Sequence, residues 1–330
     1  MDLATMPKVE LHLHLDCSLS YRVVEQLRPG ITGQDYRDRF IAPFPSKNLN
    51  EYIDTASHGI ELMQDRTGLQ AVTLDLFDQL VQDQVIYTEI RFAPLEHIRQ
   101  GMSPESVIEA VLEAMETAQT QSGIQAGLIL CTLRHYTAKQ SMQTAQLVIK
   151  YHDKGVVAFD IASDEAHYPV DNHVQAFQIV REAGIPCTAH AGEARGPESV
   201  WETLQDFQPQ RLGHGVRSIE DPSLMRYLKE HRIFLEVCPT SNIQTQVFPS
   251  MADHPVNELF RYGIPLCINT DGRTLSDTTL TREYQLIHET FGWSMDDFFQ
   301  SNKDAIEAAF LPETAKTELL ARFISQSGSL

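Results

Sequence analysis

His12 and His14 lie two residues apart in a stretch of strand character, where side chains at i and i+2 share a face, so both imidazoles project the same way. Three further apolar runs end in the same kind of residue: Thr188-Ala189-His190-Ala191-Gly192-Glu193, Leu212-Gly213-His214-Gly215 and Asn269-Thr270-Asp271-Gly272. Taken singly, a histidine is a satisfied core residue and an aspartate after a strand is a helix cap. Four coincident strand ends supplying imidazoles and a carboxylate instead describe a site for a divalent ion with one position left for water. Such donors suit Zn²⁺, and Fe²⁺ or Co²⁺ less well. The chemistry of a site like this is the acidification of water into a nucleophile at neutral pH. The zinc-protease helix HExxH is absent, and so is the HxE with PCxxC signature of the cytidine-type deaminases. A two-metal site would want a bridging ligand, commonly a lysine, at the end of the fourth strand. That stretch reads Phe159-Asp160-Ile161-Ala162-Ser163, so a single metal is expected.

These ends must be held together by a fold, and the pattern names one. Short β-branched runs at 9–15, 85–93, 125–133, 156–162, 186–190, 211–214, 233–237 and 266–270 alternate with amphipathic stretches, which is the signature of parallel βα units. Helical periodicity is clear at 104–121, 138–151, 174–183 and 221–230. Gly184-Ile185-Pro186 and Gly263-Ile264-Pro265 each read as a helix stop followed by a strand start. Eight such units predict a closed (β/α)8 TIM-type barrel, an α/β fold whose sites sit at the C-terminal ends of the strands. An open doubly wound sheet would carry a glycine-rich phosphate loop after the first strand, and Asp16-Cys17-Ser18 is not one. The segment 21–83 is too long for a simple crossover. With helices expected at 50–64 and 70–82, it reads as a helical lid inserted after strand one. Helices expected at 278–290, 295–310 and 313–325 would close and cap the barrel. No repeat, low-complexity tract or linker divides residues 1–330, so one domain is expected.

Composition narrows the partners. With 26 Lys and Arg against 45 Asp and Glu, the formal charge is −19, and such a surface repels phosphate backbones and anionic lipid headgroups. Nucleic acid and membrane are therefore not expected as partners. The sequence shows no signal-peptide pattern and no membrane-length apolar run, which makes a cytoplasmic location the expectation. Five cysteines, an odd number without a CxxC pair, read as reduced thiols, four of them in or beside apolar runs.

Taken in order, Pro7-Lys8-Val9-Glu10-Leu11-His12-Leu13-His14-Leu15-Asp16, His190-Ala191-Gly192-Glu193, Leu212-Gly213-His214-Gly215, Cys238-Pro239-Thr240-Ser241-Asn242 and Asn269-Thr270-Asp271 resemble the motifs of the adenosine deaminases, within the amidohydrolase superfamily. The resemblance spans nearly the whole chain. It implies a hydrolase of purine nucleoside metabolism that replaces the 6-amino group of an adenosine-type nucleoside by oxygen and releases ammonia. It implies that His12, His14, His190 and Asp271 hold one Zn²⁺, that Glu193 donates a proton to purine N1, that His214 assists the attacking water, and that Asp16 contacts the ribose. The chemistry agrees with these roles. Attack at C6 requires a proton at N1, and a carboxyl group that donates it must stay protonated, as burial near other acids ensures.

Three positions depart from that family's pattern. Gly272 stands where a second aspartate usually holds purine N7, with Arg273 in place of proline. Ser163 stands where a glycine backbone meets purine N3, and Cys17 replaces the glycine after the first-strand aspartate. These departures point to the same reaction on a different or larger 6-aminopurine. Arg273, if beside the pocket, would suit a substrate bearing a carboxylate, as in the similar deaminases of 6-aminodeoxyfutalosine; otherwise it is a surface residue. On this reading Gly272→Asp should improve activity on plain adenosine. A hydrolase of a non-purine amide or amidine and a nucleoside-binding protein without activity are the other readings, and the latter has no need for Glu193 and His214 together.

Overall fold

The structure, a computed structural model, describes residues 2–328. Among these, eight parallel strands form the centre: β1 (Lys8–His14), β2 (Val85–Phe92), β3 (Gln125–Leu133), β4 (Val156–Ala162), β5 (Thr188–Ala191), β6 (Arg211–His214), β7 (Phe234–Val237) and β8 (Leu266–Ile268). The strands hydrogen-bond in the orders β1-β2-β3-β4 and β5-β6-β7-β8. Single bridges at Phe159–Cys187 and Leu13–Asp271 join the two halves at both edges, so the sheet closes into the expected barrel. Strands covered on both faces read as continuous apolar runs, which is why the sequence marks them so plainly.

Helices α1 (Tyr21–Leu27), α2 (Gly33–Phe40), α3 (Leu49–Leu62) and α4 (Arg66–Gln82) separate β1 from β2. One helix follows each of the next five strands: α5 (Pro104–Ser122), α6 (Ala138–Tyr151), α7 (Val174–Glu182), α8 (Pro197–Asp206) and α9 (Pro222–Glu230). Then α10 (Pro239–Gln244) and α11 (Val256–Tyr262) follow β7, and α12 (Leu280–Phe291), α13 (Met295–Ala308) and α14 (Glu313–Ser327) follow β8. The outer helices show their causes locally. Ser103 caps α5 by accepting from Ser106 N, Pro104 fixes its first turn, and Gly123 ends it at φ +73°. Its inward stripe of Val107, Ile108 and Val111 is fully buried, each side chain worth roughly 1.5–3 kcal/mol. The segment expected as a lid divides in two. Helix α4 buries Leu69, Val72, Leu76 and Leu80 and packs on α5 and β2, so it belongs to the outer ring; only α1 to α3 are additional to the barrel.

The seam between β8 and β1 is closed largely by side chains. Asn269 Oδ1 accepts from Leu11 N (2.9 Å) and His12 N (3.1 Å), and Glu10 Oε1 accepts from Thr270 N (3.0 Å). Backbone bonds from His14 N to Asp271 O (2.8 Å) and from Asp271 N to His12 O (3.1 Å) complete it. All five cysteines are free, four of them buried. Among the described residues no helix is long and apolar enough to cross a membrane.

Candidate active site

At the C-terminal ends of the strands lies a cavity of about 250 Å³ lined by His14, Asp16, Cys17, Ser163, His190, Glu193, His214 and Asp271, with Tyr52, Ile53 and Ser57 of α3 on its wall. His12, His190, His214 and Asp271 each offer a ligand atom within 4.8 Å of the others. His14 completes the group, its Nε2 3.2 Å from His190 Nε2 and 3.4 Å from Asp271 Oδ1. Gly213 makes this crowding possible, because a Cβ there would stand 2.9 Å from His12 Cε1 and 3.2 Å from His190 Cα.

Each ring is aimed from behind. His12 Nδ1 bonds Glu236 Oε2 (2.9 Å), and His190 Nδ1 bonds Asp160 Oδ1 (3.2 Å). Arg91 bridges those two carboxylates, through Nη2 to Glu236 (2.6 Å) and Nη1 to Asp160 (2.8 Å). Arg211 Nε also bonds Glu236, at 2.7 Å. Ser241 Oγ donates to Asp271 Oδ2 at 2.7 Å. Carboxylates on the far nitrogens fix the tautomers and leave Nε2 facing inward. His12 Nε2 is fully buried and its contact to Asp271 Oδ1, at 3.4 Å, does not satisfy it as a hydrogen bond, an arrangement that costs about 1–3 kcal/mol unless another group takes the lone pair. The orphaned nitrogen, the convergent rings and the carboxylate fit a divalent metal.

The ionisation states agree. Burial pushes His14 down to about 3, so its imidazole is neutral. Burial works against the Asp271 carboxylate, but His12, with Nε2 3.4 Å from Oδ1, holds its pKa well below the ordinary range. Glu193 goes the other way. Burial, with Asp271 and Glu165 adding repulsion, raises it well above the ordinary carboxylate value, and its Oε2 lies 3.6 Å from His214 Nε2. Burial also works against Asp16, yet His97, with Nε2 3.5 Å away, holds it below its ordinary value. Backbone strain collects here too. His214 (φ +60°), Asp271 (φ +64°) and Ser163 (φ +82°) are all left-handed at the ends of their strands.

Two expected residues stand elsewhere than in the pocket. Arg273 is neither beside the cavity nor on the surface. Its guanidinium is buried, bonding Glu10 Oε2 and Asp83 Oδ2 at 2.7 Å each, so it has no free donor fork for a substrate carboxylate. Gly272 packs against Cys17, where an added Cβ would stand 2.8 Å from Cys17 Cβ and 3.1 Å from Tyr52 Oη. An aspartate at 272 would therefore have to displace Cys17 before its carboxylate could reach the cavity. Sequence reasoning also gave no role to residues of consequence, namely Glu236, Arg91, Asn242 and Glu165. Glu165 accepts the backbone N–H groups of Gly192 (2.7 Å), Glu193 (2.9 Å), Ala194 (2.6 Å) and Arg195 (3.0 Å), and so holds the turn that carries Glu193. The pair Asp164-Glu165 just after the end of β4 was the available signal for it.

A barrel whose strand ends converge histidines and an aspartate on one point, beside a buried carboxyl group, is built as an amidohydrolase-type enzyme. Comparison with known proteins makes the class particular. The adenosine deaminase family model matches residues 7–326, and the chain belongs to that family. Adenosine deaminase 1 of Streptomyces coelicolor is 36% identical over 338 residues, covering 93% of this chain and 83% of that protein. Adenosine deaminase of Clostridium acetobutylicum is 32% identical, covering 96% and 97%. Among solved structures, Arabidopsis ADAL complexed with IMP superposes with a TM-score of 0.89 at 26% identity, covering 99% of this chain and 98% of that one.

Proposed function

We propose that this protein hydrolyses the 6-amino group of adenosine, giving the 6-oxo nucleoside and ammonia, with one Zn²⁺ held by His12, His14, His190 and Asp271. The observation that carries the reading is the buried Glu193 carboxyl, its Oε2 3.6 Å from His214 Nε2, beside a convergent set of metal donors. A bound divalent ion supplies Lewis-acid activation of water at neutral pH. The chain's own residues do the rest. Glu193 gives its proton to N1, which breaks the ring aromaticity that protects C6. His214, within reach of Glu193, orients the attacking water. The C6–O bond forms, one proton of the water passes to the 6-amino group, the C6–N bond breaks with release of ammonia, and the water's other proton restores the Glu193 carboxyl. Asp16, kept ionised by His97, accepts from a ribose hydroxyl. Ser163 and α3 shape the wall that keeps bulk water from the base. Adenosine is favoured over a nucleoside with an acidic extension because Arg273, the residue that would have recognised the acid, is consumed by Glu10 and Asp83. The relatives at 32–36% identity are named adenosine deaminases, which supports the same choice. The test is a comparison of 6-aminopurine nucleosides by loss of the adenine absorbance band together with ammonia release. Turnover of adenosine is expected, and no ammonia from any of them would end the reading.

A further inference from the structure

His214 is backed by residues that its own strand does not supply. Its Nδ1 lies 3.1 Å from Asn242 Nδ2 on α10. Asn242 Oδ1 lies 3.1 Å from Nε2 of His254, in the loop before α11. The N–H of Val256 bonds His254 Nδ1 at 3.2 Å. Asn242, His254 and His214 are all at most 2% exposed, so water does not compete for these contacts.

The direction of every proton in this chain follows from its first member. A backbone N–H can only donate, so His254 Nδ1 must accept, and a neutral imidazole then carries its proton on Nε2. Burial alone pushes His254 down to about 3, so the ring is neutral. His254 Nε2–H donates to Asn242, which must present its oxygen, and that orientation turns the amide nitrogen toward His214. The flipped amide would set two donors face to face at His254. Asn242 therefore donates to His214 Nδ1, and with Nδ1 accepting, the ring's proton sits on Nε2.

We infer that Val256, His254 and Asn242 form a polarity lock that holds His214 with Nε2–H aimed into the cavity, making Asn242 and His254 positioning residues for catalysis. Resting on the deaminase reading, this gives His214 a defined part: it donates a hydrogen bond toward the attacking oxygen and does not offer a lone pair. It also separates His214 from the metal donors around it, since a protonated Nε2 cannot ligate. The ligand set is left to His12, His14, His190 and Asp271.

The test uses the metal-loaded protein carrying ¹⁵N-labelled histidine. The His214 ring signals are assigned by their absence from His214→Gln. Expected is a protonated Nε2 and a bare Nδ1; the opposite tautomer overturns the lock. Asn242→Asp is nearly isosteric but replaces the donor with an acceptor, which draws the proton to Nδ1. It should lower kcat about 10²-fold or more with KM changed only a few-fold, since a wrongly placed tautomer costs up to about 10⁴ in a catalytic triad. Asn242→Ala, which deletes the contact without inverting it, should be the milder change. A packing role predicts the reverse order, so an alanine variant as damaged as the aspartate variant, or an aspartate variant with normal kcat, overturns the inference. The tautomer reading needs no substrate. If it holds while no 6-aminopurine is turned over, the deaminase reading fails and the lock stands.

Discussion

Cys17 and Gly272 compete for one volume, and a double-mutant cycle measures the competition. A methyl group at 272 would approach Cys17 Cβ to 2.8 Å, about 1 Å inside the carbon–carbon optimum of ~3.5–4.0 Å, with Cys17 O at 3.3 Å. Neither backbone can retreat freely. Thr274 N bonds Cys17 O at 2.9 Å and Ser276 N bonds Gly272 O at 2.9 Å, while Tyr52 Oη is tied to Ser276 Oγ at 2.9 Å. Overpacking of this kind costs about 1–3 kcal/mol. With an unfolding entropy of about 2.1 cal/mol/K per residue, a chain of 330 residues loses roughly 0.7 kcal/mol per degree near Tm. Gly272→Ala should therefore lower Tm by about 1.5–4 °C, if unfolding is cooperative. Cys17→Gly removes the opposing Cβ, whereas Cys17→Ala keeps it. Gly272→Ala should thus cost about 1–3 kcal/mol in the native and Cys17→Ala backgrounds and close to nothing with Cys17→Gly. Denaturant or thermal melts of the set provide the measurement. Additivity within about 0.5 kcal/mol in the Cys17→Gly background would refute the idea that the two positions share one space.

Glu193→Gln should keep fold and metal while kcat falls about 10²-fold or more, as steady-state kinetics with elemental analysis will show. Asp160→Asn weakens the support of His190 and should loosen the metal by about 10–100-fold in chelator competition; an unchanged affinity would mean that Asp160 serves only Arg91. Glu283 is buried, and burial pushes it up to about 7 although Thr240 N and Thr278 Oγ1 donate to it. Its folded pKa exceeds the unfolded 4.5, so the stability it contributes is present below pH 4.5 and drains away as pH rises to about 7. Stability curves across that window should lose this decline in Glu283→Gln, and a curve superimposable on the wild type would discount the shift.

The strands were legible because each is a short apolar run buried on two faces, and β3, β4 and β6 begin and end where the pattern puts them. The donors were legible because three strand ends carry histidine and a fourth carries aspartate. What escaped notice lies across the barrel. Glu236 is 224 residues from His12, and Arg273 is 263 residues from Glu10 and 190 from Asp83, so no local window connects them. An arginine among small polar residues reads as solvent-facing or ligand-facing until both its carboxylates are seen. The short helices α10 and α11 also went unread, being too brief to show a 3.6-residue period over several turns. The left-handed turns at His214 and Asp271 leave no mark in residue type, since neither position is glycine.

The seam between β1 and β8 fixes when the catalytic centre can come into being. Its contacts join residues 258 apart, as Leu11 to Asn269, and the site straddles it, with His12 and His14 on one bank and Asp271 on the other. Contacts of such long range carry a large loop-closure cost and form only once the intervening chain has organised. A ribosome-bound chain that has emerged only as far as β7 holds all the histidines of the site but not the aspartate. With the proposed ligand set, tight ion capture would wait until synthesis has passed β8, so that loading with metal would follow completion of the barrel and mark it.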